Sequence, residues 1–199
     1  RVTAENFAPD VPFEDLEILT GPRTEVRFAA PTHHPRLAST GPEHLFFLEG
    51  VVYDRSDDEL RTFAAALARR ALAGDPLEDA IRDFVTGTDG EYVFVLVLEG
   101  GARVVVFNDA WGRLPLYAAR WPSVFALARE PADLLPHLPE VRLDRQAIAE
   151  WLAFTFTMNP EWVVRGVAQV RPATLFDVSV RDGGVRVADF IRLLSEQNA

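Results

Sequence analysis

The sequence contains no cysteine and no lysine. Without thiols, these 199 residues can form no disulfide, no thiolate metal site and no cysteine nucleophile. Because all 20 basic residues are arginine, no side-chain amine is present to form a Schiff base. The chain also lacks an apolar run of about 20 residues, the length that spans a bilayer, and it lacks the basic and then apolar start of a signal peptide. We therefore expect a cytoplasmic protein without membrane contact.

Clusters of basic residues are missing as well. The 30 acidic residues outnumber the 20 basic ones, which gives a net charge of −10 at pH 7. Nucleic acids and anionic membranes are bound through lysine and arginine that displace counterions, so neither is expected as a partner. The hydrophobic fraction of 48% and the charged fraction of 25% are typical of a globular protein. We predict a single domain over residues 1–199 with a sizeable core.

Apolar segments of strand length dominate the second half of the chain. Residues 92–98 and 103–107 are nearly all apolar and are joined by a glycine-containing connection, so they predict a hairpin that is covered on both faces. Residues 45–52 predict a further buried strand. Additional hairpins are predicted within residues 114–127 and 174–188. Consecutive hairpins with grouped helices indicate an α+β fold of antiparallel sheets with helices outside.

Three helix starts are predicted from capping residues. Ser56 and Glu59 have the spacing of a capping box at the start of the first helix. Asp75 as the cap and Pro76 at the first helical position predict the second helix. Asp144 is the predicted cap of the third, in which Ile148, Trp151, Leu152 and Thr155 lie on one side.

The segment NDAWGRLPLY, residues 108–117, lies between two predicted hairpins. It keeps the spacing of the motif RDxxGxxPLYY at Asp109, Gly112, Pro115, Leu116 and Tyr117. This motif recurs in the glutamine-hydrolysing domain of asparagine synthetase and its relatives, which include the β-lactam-forming synthetases, and the sequence resembles that domain. We expect a rigid, partly buried turn, with Trp111 and Tyr117 packed and Gly112 in a conformation that disfavours a Cβ.

Other segments resemble the same family. They are residues 48–54 (like fNGEIYN), 89–98 (like GxFAFALWD), 127–135 (like fASExkaLL), 143–156 (like LdxxalxeyLafgf) and 164–178 (like lfkgvxxlpPGtxl). The chain is thus similar to a class II glutamine amidotransferase domain. The resemblance implies an N-terminal-nucleophile hydrolase fold, a four-layer αββα sandwich of two antiparallel sheets flanked by helices.

The family's nucleophile is an N-terminal cysteine whose α-amino group activates its own thiol. This sequence begins with Arg1 and has no cysteine, and residues 1–20 are few for the strand and helix that precede the family's Gly-Pro turn, matched here by Gly21 and Pro22. The resemblance therefore implies a degenerate N-terminal segment, residues 1–20, and no catalytic residue. We expect the chain not to hydrolyse glutamine.

Four residues match the family's substrate-binding positions. Arg36 stands where an arginine clamps the glutamine carboxylate, and it could still bind a free carboxylate weakly. Glu49 replaces the asparagine that completes the oxyanion hole, and Gly50 keeps the glycine that follows it. Asp57 matches the aspartate that holds the glutamine amino group, although the capping box explains its segment without any substrate. We treat these four as vestigial substrate-binding residues.

Other types of site are not indicated. His33 and His34 are adjacent in a loop between prolines and have no further ligand at metal spacing, so we interpret both as surface residues and expect no metal or cofactor. The sequence has no GxSxG elbow, Walker loop or SGGxDS pyrophosphatase loop, so neither a serine hydrolase nor an ATP site is predicted.

Three functions remain open. The first is a scaffold that has lost glutaminase activity and docks on a synthetase-type partner or on a second copy of itself; an exposed apolar patch at the sheet edges or at residues 190–194 would favour it. The second is an amide hydrolase of altered chemistry, which uses Arg36 and Glu49 with a nucleophile exposed near Thr3. The third is the N-terminal domain of a longer ATP-dependent amide-forming synthetase.

Overall fold

The computed structural model describes residues 13–20, 23–122 and 124–190. The predicted turn at Gly21 and Pro22, the region of Thr3 and residues 191–194 lie outside these ranges. The described strands are β1 (Phe13–Thr20), β2 (Glu25–Pro31), β3 (Arg36–Thr40), β4 (His44–Val52), β5 (Gly90–Leu98), β6 (Arg103–Asn108), β7 (Tyr117–Trp121), β8 (Val124–Ala128), β9 (Val167–Gln169), β10 (Thr174–Ser179) and β11 (Gly184–Asp189). The helices are α1 (Asp57–Ala73), α2 (Glu78–Gly87) and α3 (Arg145–Phe154), with a 3-10 helix at Pro131–His137.

Six antiparallel strands form the main sheet, in the order β11-β10-β6-β5-β4-β3. The predicted hairpin is confirmed in a central position, because β5 and β6 occupy the two middle places. Phe94 and Phe107 pack on the side of α1 and α2, while Val93 and Val106 pack on the opposite side. Both faces of the hairpin are therefore covered, which explains its unbroken apolar sequence.

Helices α1 and α2 cover one face of this sheet. The capping box is confirmed: the Glu59 N–H donates to Ser56 Oγ at 3.4 Å, and the Ser56 N–H donates to Glu59 Oε2 at 2.8 Å. The predicted cap of α2 is wrong, because the helix begins at Glu78 after Leu77, which makes no side-chain cap. The Asp75 N–H instead donates to the Arg70 carbonyl at 3.0 Å, so Asp75 belongs to the end of α1.

A second β layer covers the other face. It consists of two separate ladders, the sheet β8-β7-β9 and the hairpin β1-β2. Leu116 of the segment before β7 packs against Val93 and Val106, and Phe28 of β2 packs on Phe47 of β4. The 3-10 helix covers the outer face of the three-stranded sheet through apolar side chains, among them Leu134, Leu135 and Leu138. The predicted α+β class with two antiparallel β layers between helical segments is confirmed, with the second layer divided in two.

The turn after β6 is held by Asp109, which is 1% exposed. Its carboxylate accepts hydrogen bonds from the N–H groups of Trp111 (2.9 Å) and Arg113 (3.1 Å). Gly112 has φ +60°, and a Cβ there would lie 3.1 Å from Pro172 Cγ. This agrees with the prediction that the backbone conformation of Gly112 disfavours a Cβ. The prediction that Trp111 packs is wrong, since it is 71% exposed. The turn fixes its backbone through Asp109 and directs the indole away from the core.

Helix α3 is capped by Asp144 as predicted, through hydrogen bonds from the N–H groups of Gln146 and Ala147. On the side predicted to be shared by Ile148, Trp151, Leu152 and Thr155, Trp151 is 51% exposed and Leu152 is 72% exposed. The segment 141–158, which we call the α3 face, carries the exposed large apolar residues Val141, Leu143, Trp151, Leu152, Phe154, Phe156 and Met158. Within the described ranges, no helix is long and apolar enough to cross a membrane.

Candidate functional site

Arg36 and Glu49 face each other across the ladder between β3 and β4. Residues opposite each other in an antiparallel ladder point to the same side of the sheet. Their neighbours Leu37 and Leu48 belong to the core under the helices, so Arg36 and Glu49 lie on the other face, toward the second β layer. The structure therefore brings two of the predicted site residues together.

Glu49 is the centre of an ion cluster that joins the two β layers. Its Oε1 lies 3.1 Å from His34 Nε2 and accepts a hydrogen bond from Arg129 Nε at 3.0 Å. The Glu49 side chain is only 13% exposed, and those of His34 and Arg129 are 28% and 27% exposed. We call His34, Glu49 and Arg129 the Glu49 cluster.

Two members of this cluster were not anticipated. His34 was interpreted as a surface residue, and its contact with Glu49 corrects this, whereas His33 is exposed. Arg129 follows β8 and is 80 residues away from Glu49 in sequence. The only hint of its role is its place directly after an apolar strand, which puts a charged side chain at the end of a sheet. That hint does not identify a partner.

Gly50 is required by the backbone. It has φ +97°, and a Cβ at this position would lie 2.0 Å from the Glu91 carbonyl oxygen and 2.9 Å from Leu114 Cδ1. Its N–H donates to the Pro35 carbonyl at 2.8 Å. A glycine is thus needed here whether or not a substrate binds.

Asp57 is not brought to the other predicted site residues. It begins α1, which packs on the opposite face of the main sheet, and its side chain is 70% exposed. Its carboxylate lies 3.6 Å from Arg61 Nη2, one helical turn later. The capping box and this surface ion pair account for the segment.

The Glu49 cluster pairs one carboxylate with the guanidinium of Arg129. Arg36 lies beside it on the sheet, with its guanidinium 5.5 Å from the centre of the Phe28 ring. Arg129 Nη1 is buried and has no hydrogen-bond partner among the described residues. Such a cluster can hold a carboxylate, but Glu49 itself offers an anion where an oxyanion hole needs a hydrogen-bond donor. No group of three or more His, Asp or Glu side chains in the described part of the chain is arranged to hold a metal ion.

A second charged cluster lies on the helix side, beside an open groove of about 460 Å³. Arg103 binds both oxygens of Asp177 at 2.8 Å and donates through Nη1 to the carbonyl of Ala71 in the last turn of α1. Arg186 also donates to Asp177, at 2.7 Å, and pairs with Glu78 of α2. Burial raises the pKa of Asp177, but the hydrogen bonds from Arg103 and Arg186 outweigh it and lower the pKa overall. This cluster fastens both helices to the sheet.

The family model for a glutamine amidotransferase domain matches residues 77–191, more than half of the chain. The chain belongs to the glutamine amidotransferase domain family. The matched range contains the turn of residues 108–117 and the strands β5 to β11. It begins after Arg36, Glu49, Gly50 and Asp57, so the substrate-binding roles of these four residues stay predictions.

No curated protein matches the sequence. Among solved structures, the glutamine phosphoribosylpyrophosphate amidotransferase from B. subtilis, complexed with ADP and GMP, is similar with a TM-score of 0.39 and 14% sequence identity. The match covers 79% of the present chain and 31% of the B. subtilis protein.

Proposed function

We propose that this glutamine amidotransferase domain is of the asparagine synthetase type, no longer hydrolyses glutamine, and serves as a docking domain for a synthetase-type enzyme. The observation that carries the proposal is the position of Glu49. By resemblance it stands where an asparagine completes the oxyanion hole, and its carboxylate is held by His34 and Arg129. A carboxylate fixed there would repel the negative charge that develops on the substrate oxygen.

The size of this effect argues against glutaminase activity. Loss of one oxyanion-hole donor alone slows acyl transfer by about 10²- to 10³-fold, and a negative charge in its place is worse than a missing donor. The 199 residues also supply no thiol that could attack the amide. Retention of Gly50 does not argue for activity, because its backbone conformation needs glycine in any case.

The α3 face supports a docking role. It contains seven of the exposed large apolar residues and lies within residues 141–158, where two arginines and two carboxylates give a net charge of zero. A concentration of exposed large apolar residues in one segment is typical of a protein interface. We assign it to a synthetase-type protein with an apolar, uncharged docking surface, because residues 141–158 themselves carry no net charge.

The proposal is tested by a coupled assay of ammonia release from glutamine, on protein whose N-terminus has been verified by intact mass. The wild-type domain and the Arg36→Ala variant should both show no release above the buffer. Release by the wild type that Arg36→Ala abolishes would overturn the proposal and favour an amide hydrolase that uses Arg36 and Glu49. Glu49→Asn, which restores a donor, should remain inactive because no nucleophile is restored with it.

A further inference from the structure

Glu49 is bound in the way that a small carboxylate ligand would be bound. Two nitrogen-bearing side chains from different segments meet at its Oε1, His34 from the segment before β3 and Arg129 from the segment after β8. The carboxylate is nearly buried, with 13% of the side chain exposed. A buried charge needs such partners, since its removal from water is otherwise costly.

Arg129 has donor capacity that Glu49 does not use. A guanidinium carries five N–H donors arranged to match the two oxygens of a carboxylate. Here Nε donates to Glu49, whereas the buried Nη1 has no hydrogen-bond partner among the described residues. The site therefore has the positive charge that binds a carboxylate, and the carboxylate of Glu49 leaves one of its hydrogen-bond donors without an acceptor.

We propose that Arg129 and His34 form a binding site for a small monocarboxylate and that Glu49 occupies this site as an internal ligand, which keeps free carboxylates out. The inference rests on the proposed lack of glutamine turnover, because a site filled by the chain cannot take the carboxylate of a substrate. In the wild type, the cost of displacing Glu49 closes the site. Removal of the Glu49 carboxylate opens it.

Glu49→Ala provides a direct test, because the group that it removes, CH2–COO⁻, corresponds to acetate. We expect the variant to melt below the wild type in acetate-free buffer and to recover in acetate with saturation. At about ten times the Kd, acetate should raise Tm by about 3 °C. The neutral isostere acetamide should have no such effect, since it lacks the negative charge that pairs with the Arg129 guanidinium. Binding is measured independently by titration calorimetry with sodium acetate against sodium chloride.

Two controls locate the site. In the double variant Glu49→Ala/Arg129→Ala, acetate binding should weaken by about tenfold or more, as expected when a hydrogen bond to a charged group is lost. Glu130→Ala removes the adjacent exposed carboxylate and should respond to acetate no more than the wild type does. Equal stabilisation of all these proteins by acetate would overturn the proposal, and so would unchanged binding in the double variant.

If Glu49→Ala does not fold without acetate, its recovery from urea is compared in acetate and in acetamide. Recovery in acetate alone supports the site, and equal recovery or equal failure in both overturns it. The two proposals fail in different assays. Ammonia release by the wild type would refute the loss of glutaminase activity, whereas the absence of acetate binding by Glu49→Ala refutes only the internal ligand.

Discussion

At the scale of single residues, Gly50 shows how a position can keep its residue for backbone reasons alone. A Cβ on Gly50 would meet the carbonyl of β5 at 2.0 Å, and that oxygen cannot move without shifting the strand. Gly183 also has a positive φ, +71°, but has open space around it. We expect Gly50→Ala to lower the free energy of unfolding by about 2 to 4 kcal/mol and Gly183→Ala by about 1 kcal/mol, measured by urea denaturation. Equal losses would show that the contact with Glu91 is not rigid.

Asp177 should make stability depend on pH. Its folded-state pKa is lowered, so its contribution is present above the unfolded value of about 3.9 and is lost as the pH falls through the folded value. Asp177→Asn should cost about 2 to 3 kcal/mol at pH 7, less than a fully buried pair because Arg186 is half exposed. Between about pH 4 and pH 2 the variant should lose less stability than the wild type.

The matched control is Asp79→Asn. Asp79 pairs with Arg82 at 2.7 Å, but its side chain is 75% exposed, so its removal should change stability by less than about 1 kcal/mol at any pH. Urea unfolding at pH 7, 4 and 2.5 compares the three proteins. Parallel pH profiles for wild type and Asp177→Asn would contradict the expected role of Asp177.

Contacts between residues were predictable where the two residues are close in the sequence. Arg36 and Glu49 come from neighbouring strands joined by a short connection, and the family motifs indicated both. Arg129 comes from another layer, 80 residues away, and no pattern in the sequence pairs it with Glu49. Trp111 was misjudged because an aromatic residue in a turn motif does not reveal whether the turn directs it in or out.

At the scale of elements, two substitutions at the start of α1 distinguish a helix-capping role of this segment from a substrate-binding role. Ser56→Ala should cost about 1 kcal/mol in urea unfolding, since it leaves first-turn N–H groups without their acceptor. Asp57→Asn should change stability by less than about 0.5 kcal/mol, because its side chain is exposed and its ion pair with Arg61 is weak. The opposite order, with Asp57 the more costly position, would contradict the assignment of this segment to helix capping.

Hairpins and caps were predictable because their signals lie within a few residues. Residues 92–107 and 174–188 each contain two apolar runs and a turn, and both hairpins formed as predicted. The start of α2 was not predictable, since Asp75 could serve either helix and the end of α1 takes its N–H. The side of α3 that is covered depends on what packs there, which periodicity does not encode.

At the scale of the whole molecule, a substitution on the α3 face should change partner binding without changing the free energy of unfolding. Leu152 is 72% exposed, so Leu152→Glu should change the free energy of unfolding by less than about 0.5 kcal/mol, whereas Leu134→Ala in the core should cost about 2 to 5 kcal/mol. We expect tagged wild type, purified from the cells that produce it, to retain a protein that contains an ATP-pyrophosphatase loop, and Leu152→Glu to lose it. A concentration-dependent dimer that Leu152→Glu dissociates would instead identify a second copy as the occupant.

The ladder between β6 and β10 also has a consequence for how the chain folds. The strands β3 to β6 follow one another in sequence, but Asn108 and Thr174, which meet at the end of this ladder, are 66 residues apart. Closing so long a loop lowers the entropy of the chain before the new contacts can offset that loss. We therefore expect β10 to pair with β6 late in refolding. Until then, the apolar strand β6 is an open sheet edge that another unfolded chain can extend. Misassembly during synthesis should therefore begin at Val104 and Val106 of that edge.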